Sequence, residues 1–361
     1  MYDVNLNDYT VGIHLDVSCD GKGTTNLAFH KTTSSFVVIK KYFIDDKESD
    51  DYHLIQHEIV TTRQLQHPNI LPYLNAFVSG HDVYVVSPLM SYGSCSSLIK
   101  KHFNEGFPEL AIAFIIRDVL HGLDYIHRKG FIHRALRASH ILISAQGQAC
   151  ICGMRYSCEV VQDGKWQRLV YDFPKSSTNN LKWLSPELLQ QDLRGYNEKS
   201  DVYSLGMTIC ELANGAVPFA DMPDTLMLVE KIRGSMPRLL DQSTFPEDVM
   251  DIDQSGDGTS QEKFSVNLEN IAKRAFSEAF HSITELCLQC DPNNRPSVNY
   301  LLGHSFFKQC RKTDVSLLDI LKSVKPLNEY FGDFIGNDTE ALETKLENLE
   351  LENYSWDFEN T

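Results

Sequence analysis

Four short stretches carry side chains of the types that do chemistry. Lys40 ends the run Val37-Val38-Ile39-Lys40, where an ammonium suits a phosphate oxygen or a carboxylate. Glu58 follows on a segment of helical spacing and can pair with it. The run His133-Arg134-Ala135-Leu136-Arg137-Ala138-Ser139-His140 offers imidazoles and guanidiniums but no carboxylate. It therefore lacks an Asp-type proton acceptor and a hard oxygen ligand for a divalent cation. Gly153-Met154-Arg155 adds one more guanidinium. Lys40 and Arg155 are two fixed cations of the kind that neutralise a polyphosphate. Such a set grips an anion and has little with which to break a bond.

These groups need elements to hold them. Residues 9–90 read as a small strand-rich lobe with one helix. Phe36-Val37-Val38-Ile39 has strand character, and Val83-Tyr84-Val85-Val86 is a buried strand running into Ser87-Pro88-Leu89-Met90. His53 to Leu65 has helical spacing and stops near Pro68. From 91 to 310 helices dominate, with Glu109 to Arg128 and Asp201 to Ala213 the clearest by apolar period. An acidic, Gly- and Ser-bearing stretch at about 245–265 reads as a flexible insertion. Residues 311–361 form a tail, in which Glu340 to Glu352 could make a short helix.

The motifs fall in the order of a protein kinase, an α+β bilobal fold with a small β-rich N-lobe and a large helical C-lobe. Lys40 resembles the V-A-I-K lysine and Glu58 its helix partner. His67-Pro68-Asn69-Ile70 resembles the turn that follows that helix. His133 to His140 resembles H-R-D-L-x-x-x-N, with Ala135 in place of the general-base Asp and His140 in place of the metal-binding Asn. Gly153 stands where D-F-G supplies the second metal ligand. The structural positions persist: Arg134 in the loop, Glu187 in a segment resembling A-P-E, Arg295 as its expected partner, and Asp201 at a helix start resembling D-V-W-S-x-G. That Asp normally braces the backbone of the catalytic loop. The glycine-rich loop is eroded, since Asp16-Val17-Ser18-Cys19-Asp20-Gly21 keeps only its last glycine.

Magnitudes separate the two readings of such a loop. A general base contributes about 10²–10⁴-fold. Metal stabilisation of a moving phosphoryl group contributes several kcal/mol more. Without both, a kinase working at about 1–100 s⁻¹ falls to a negligible rate. The chain is therefore expected to be a pseudokinase. Binding need not go with chemistry. A carbonyl of Pro88 and an N–H of Met90 can serve an adenine, with Lys40 and Arg155 on the phosphates and Glu58 on Lys40. ATP binding without magnesium is the expectation, and no metal is expected.

Further runs narrow the resemblance. His133-Arg134, Ala138-Ser139-His140-Ile141-Leu142-Ile143-Ser144, Val170-Tyr171-Asp172-Phe173-Pro174-Lys175, Trp183-Leu184-Ser185-Pro186-Glu187 and Cys210-Glu211-Leu212-Ala213-Asn214-Gly215 resemble the sterile-twenty-related adaptor (STRAD) pseudokinases. Gly153-Met154-Arg155 looks like that family's replacement for D-F-G. The resemblance implies a catalytically dead allosteric activator of an LKB-type serine/threonine kinase, bound as a pseudosubstrate. It also implies a heterotrimer completed by a helical-repeat scaffold of the calcium-binding-protein-39 kind. Trp356-Asp357-Phe358 resembles the W-E-F hook for that scaffold, with Asp in place of Glu. Two aromatics flanking an acid near a chain end suit an interface anchor. Arg134, Thr178, Lys182 and the surface around Phe173-Pro174 are candidates for the kinase contact. The other function class is a divergent transferase of phosphoryl or nucleotidyl groups, with Asp172 or Glu159 supplying a carboxylate.

Composition excludes other classes. The chain has 361 residues, 42% hydrophobic and 23% charged, which permits a packed core. A net charge of −16 disfavours nucleic acid. The sequence has no apolar run of about 18 residues, so no membrane span is expected, and its start has no signal-peptide pattern. Nine scattered cysteines, among them Cys287 and Cys290 on one expected helix, read as reduced thiols. The cytoplasm, and with it the nucleus, is the expected compartment.

Overall fold

The computed structural model describes residues 5–18, 23–44, 50–174, 178–244 and 273–330. The 245–265 insertion, Cys19, Asp20 and Gly21 of the eroded glycine loop, the expected 340–352 helix and Trp356-Asp357-Phe358 lie outside the described residues. Described residues fall into two compact units, one built from those of 5–44, 74–91 and 325–330, the other from 50–73 and 92–324.

The first unit is an antiparallel sheet of β1 (Tyr9–Ser18), β2 (Gly23–His30), β3 (Ser35–Phe43), β4 (Asn75–Ser79) and β5 (Asp82–Pro88), in the order β1-β2-β3-β5-β4. β-Branched and aromatic residues fit this pleated surface. Ala28, Val37, Ile39 and Val86 are buried on one core, with Tyr9, Phe77 and Tyr84. Phe77 and Tyr84 face each other across β4 and β5, their rings stacked with centroids 5.4 Å apart. Such a cross-strand pair adds about 0.5–1 kcal/mol beyond burial and fixes register. In that register Lys40 pairs with Val85, and Pro88 with Val37.

The second unit is mostly helical. It opens with α1 (Asp50–Gln64), then α2 (Cys95–His102) and α3 (Glu109–Arg128). Short strands follow: β6 (Gly93–Ser94) precedes α2, and β7 (Phe131–Ile132), β8 (Ile141–Ile143), β9 (Ala149–Ile151) and β10 (Cys158–Glu159) come after α3. Helices α4 (Pro186–Leu189), α5 (Lys199–Asn214), α6 (Asp224–Arg233), α7 (Glu278–Cys287) and α8 (Val298–Leu302) come next. α3 buries Ile112, Ile115, Ile116, Val119, Leu120, Leu123 and Ile126. At about 1.5–3 kcal/mol for each large side chain, this face is an upper bound on the helix's share of the core. Glu109 in its first turn and His127 and Arg128 in its last match the helix dipole. Among the described residues no helix is long and apolar enough to cross a membrane.

α5 is buried on nearly every side: 14 of its 16 residues are in the core. A helix buried all round belongs at the centre of a unit. Gly206 makes this possible, since a Cβ there would sit 2.8–2.9 Å from Leu288 and Cys287. α7 can therefore lie directly against α5. The helix ends at Cys287, so Cys290 lies beyond it, not on it. Asp291-Pro292 follows, and a proline disfavours helix in the residue before it.

A buried ion pair ties this helical assembly together. Arg295 donates to both carboxylate oxygens of Glu187, at 2.6 and 2.8 Å, and also to the carbonyls of Gln289, Cys290 and Lys199. Arg295 is 1% exposed and Glu187 6%. Every donor of the guanidinium that faces the core thus has an acceptor, which offsets the cost of burying the charge. We expect Glu187→Gln to destabilise the chain by about 3–5 kcal/mol, because Arg295 would keep a buried charge without its counterion. Urea denaturation followed by tryptophan fluorescence measures this; a loss under about 1 kcal/mol would show that the pair is dispensable.

Candidate functional site

Between β7 and β8 the chain runs through the His133–His140 stretch, and between β9 and β10 through the 153–157 turn. β7 and β10 pair, as do β8 and β9, so the two loops lie side by side. Cys152 donates its N–H to the His140 carbonyl at 2.9 Å, and His133 Nε2 lies 3.0 Å from the Cys152 carbonyl. His133 is fully buried. Burial lowers its pKa, opposed by the nearby Asp201 charge. The neutral ring donates from Nε2 to Cys152, while Nδ1 accepts the Ala135 N–H at 3.2 Å.

Asp201, in the first turn of α5, sets the loop. Its carboxylate accepts the backbone N–H of His133 at 2.8 Å and of Arg134 at 2.8 Å, and lies 2.9 Å from His127 Nε2. Asp201 is 0% exposed. Burial alone would raise its pKa; the bond from His127, the neighbouring imidazoles and the His133 N–H outweigh burial and hold it below the usual range. Arg134 is left-handed at φ 60°, which few non-glycine residues adopt. The two N–H bonds to Asp201 hold that turn.

The Arg134 side chain then points inward. It is 6% exposed. Nη1 donates to the Asp172 carbonyl at 2.8 Å, to Tyr196 Oη at 2.9 Å and to Asp172 Oδ2 at 3.2 Å, and Nε donates to the Tyr156 carbonyl. Arg134 therefore binds its own 156–172 segment and is not an exposed contact residue. Tyr196 Oη also donates to the Asp172 carbonyl, at 2.5 Å. Phe173 packs on the Tyr196 ring at 5.6 Å, and Lys182 Nζ donates to the Ala220 carbonyl at 3.3 Å. The Thr178 side chain lies outside the description.

Ala135, His140 and Gly153 come together. Ala135 is buried, and its carbonyl accepts from His140 Nδ1 at 2.6 Å. Gly153 is left-handed at φ 85°, beside the same imidazole ring. These positions present a methyl group, an imidazole and no side chain at all. Hard Mg²⁺ takes oxygen ligands, so this donor set does not fit it. Among the described residues no group of three His, Cys, Asp or Glu could hold a metal ion. Arg137 stands next to His140, its Nη2 3.5 Å from His140 Nε2; its guanidinium lies over Trp183 at 5.6 Å and donates to the Asn179 carbonyl at 3.0 Å.

Arg155 is engaged with α1. Its Nη2 donates to Asp51 Oδ1 at 2.8 Å, and its side chain is largely buried. His57, nearly two turns further along α1, lies 3.0 Å from the carbonyl and from the hydroxyl of Ser157. Glu58 is buried and accepts a bond of 2.6 Å from Tyr73 Oη. Sequence reasoning singled out Glu58 and Arg155 but missed Asp51, His57 and Tyr73. No local signal marks them, because each acts through a residue distant in sequence. Lys40, on β3, is half-buried, and Met90, just past β5, is buried.

A family model described as a protein kinase domain matches residues 21–307. STE20-related kinase adapter protein alpha of Homo sapiens is 41% identical, across 94% of this chain and 83% of that protein. The alpha protein of Bos taurus is also 41% identical, across 94% of this chain and 95% of its own. The beta protein of Homo sapiens is 39% identical, across 88% of this chain and 79% of its own. The chain belongs to the STE20-related kinase adapter family. In this adapter-family chain, a protein kinase domain keeps its Asp201-braced loop around an alanine.

The brace makes the acid limb of stability specific. Asp201 has a lowered pKa in the folded chain, so its contribution is present above its unfolded value near 4 and is lost as pH falls through the folded pKa. Asp201→Asn should cost about 3 kcal/mol at pH 7. Chemical denaturation from pH 7 to pH 3 should show the gap to the parent narrowing below about pH 4. A gap constant with pH would mean that the carboxylate charge plays no part.

Proposed function

We propose that this chain is a catalytically silent adapter that activates an LKB-type serine/threonine kinase allosterically. The observation that carries this reading is the match over nearly the whole chain to proteins named kinase adapters, on a kinase domain whose loop bears Ala135. A protein that cannot transfer phosphate acts through shape. It binds the active form of its partner more tightly than the inactive form and shifts the population in proportion. Moving a partner from 1:99 to 99:1 takes about a 10⁴-fold preference. A loop braced by Asp201 and Arg134 supports such a preference, because a preordered surface pays less to bind.

A calcium-binding-protein-39-type helical-repeat scaffold completes the heterotrimer in this reading, gripped by Trp356, Asp357 and Phe358. The assembly works in the cytoplasm and nucleus. ATP binds without magnesium through Lys40, Glu58, Pro88, Met90 and Arg155. Arg155 would then share its guanidinium between Asp51 and a phosphate.

Reconstitution tests this. The purified LKB-type kinase and scaffold, with and without this chain, are assayed on a peptide substrate. Activity should rise tenfold or more, on the order of 1.4 kcal/mol of population shift. Trp356→Ala with Phe358→Ala should cost the scaffold at least about tenfold in affinity. The chain alone should gain thermal stability from ATP in EDTA. Binding with no change in partner activity would leave only a passive scaffold. Phosphoryl transfer by the chain alone, abolished by Lys40→Ala, would make it a divergent transferase.

A further inference from the structure

We infer that His140 and Gly153 form one interlocked pair: the imidazole holds the space that any side chain at 153 would need, so a single substitution cannot return a metal-ligating carboxylate to that turn. By the match to kinase motifs these are the two positions whose Asn and Asp would hold a divalent cation. Read separately, they are two lost ligands. The geometry makes them one object.

The backbone imposes a cost of its own: Gly153 is left-handed, at φ 85° and ψ 48°, past the small well that Asp and Asn visit, so any side chain there is strained. The ring adds a second obstacle. A Cβ built on Gly153 would lie 3.0 Å from each of Cγ, Nδ1 and Cε1 of His140. That is well inside the 3.5–4.0 Å at which carbon contacts are attractive. Nor is the ring loosely held. Nδ1 donates to the Ala135 carbonyl at 2.6 Å, and Nε2 faces the Arg137 guanidinium at 3.5 Å. The His140 carbonyl accepts the N–H of Cys152, the residue immediately before Gly153, at 2.9 Å. Moving the ring to admit a side chain at 153 strains the Ala135 bond, while the backbone bond between Cys152 and His140 keeps the two loops from separating to make room. The coupling has a direction: position 140 must shrink before position 153 can grow. Asn at 140 removes Cε1 but keeps a Cγ and a δ atom, so it relieves one of the three contacts, whereas Ala at 140 relieves all three.

This inference needs neither the partner kinase nor a nucleotide, and its test uses neither. Full-length Gly153→Asp, His140→Ala, His140→Asn and the two doubles with Gly153→Asp are compared by thermal midpoint, in EDTA and in millimolar MnCl₂. Gly153→Asp should fall by about 3 °C or more and show no Mn²⁺-dependent rise. In the His140→Ala background the same substitution should cost about half as much or less. The His140→Asn double, with an oxygen at each position, should rise in Mn²⁺, reversibly with EDTA. Should Gly153→Asp fail to fold, Gly153→Ala, which adds the Cβ alone, is compared in the parent and in the His140→Ala background. Gly153→Asp as stable as the parent, or an equal cost at 153 with and without the ring, would overturn the interlock. An equal Mn²⁺ response in Gly153→Asp and its His140→Asn double, or none in the double, would overturn the claim about metal.

Discussion

A single buried carboxylate organises the centre of the helical unit. Asp201 accepts the N–H groups of His133 and Arg134 and lies against His127, all within 2.9 Å. Three consequences follow from that contact. The backbone of Arg134 can stay left-handed, its guanidinium is aimed at the 156–172 segment, and Ala135 is placed at the heart of the loop. None of these requires a substrate, a nucleotide or a metal. The cost of burying the charge is met by N–H donors and a neighbouring imidazole, which is how a buried ion is made tolerable.

The separation of frame from chemistry is therefore physical. Groups that hold the fold are long-range and buried: Glu187 with Arg295, and Glu211, which accepts from the Ala138 N–H and from Trp183 Nε1. Lys231, buried on α6, donates to the carbonyls of Lys182 and Leu184 and so holds the segment beside Trp183; burial lowers its pKa to about 7. Groups that would do chemistry are absent from the same loops. Losing a base or a metal ligand removes a rate, while losing Asp201 or Arg295 would remove the structure.

Much of the fold was legible because it rests on local periodicity. The apolar repeat of α3 gave its bounds, Glu109–Arg128, to the residue. α1 begins three residues before the expected His53, since Asp50 and Asp51 favour a helix N-terminus although they are not apolar. α5 extends past the expected Asp201 to Ala213 at both ends, to Lys199–Asn214. Positions of the frame were legible through motifs whose partners sit at known places, such as Glu187 and Arg295. What the sequence concealed are contacts between residues with no shared motif. Arg155 and Asp51 are 104 residues apart, and Asp51 is one of 49 acids. His140 and Gly153 each read as a missing ligand, and only their packing shows that the two substitutions depend on one another.

Amide hydrogen exchange at His133 and Arg134, in the chain free of nucleotide and metal, tests the central claim most directly. If Asp201 alone holds the loop, both amides exchange only through global unfolding, at rates unchanged by ATP or EDTA. Fast exchange of these two amides in the free chain, slowed when ATP is added, would show that a ligand and not the buried carboxylate makes the loop, and would contradict the account.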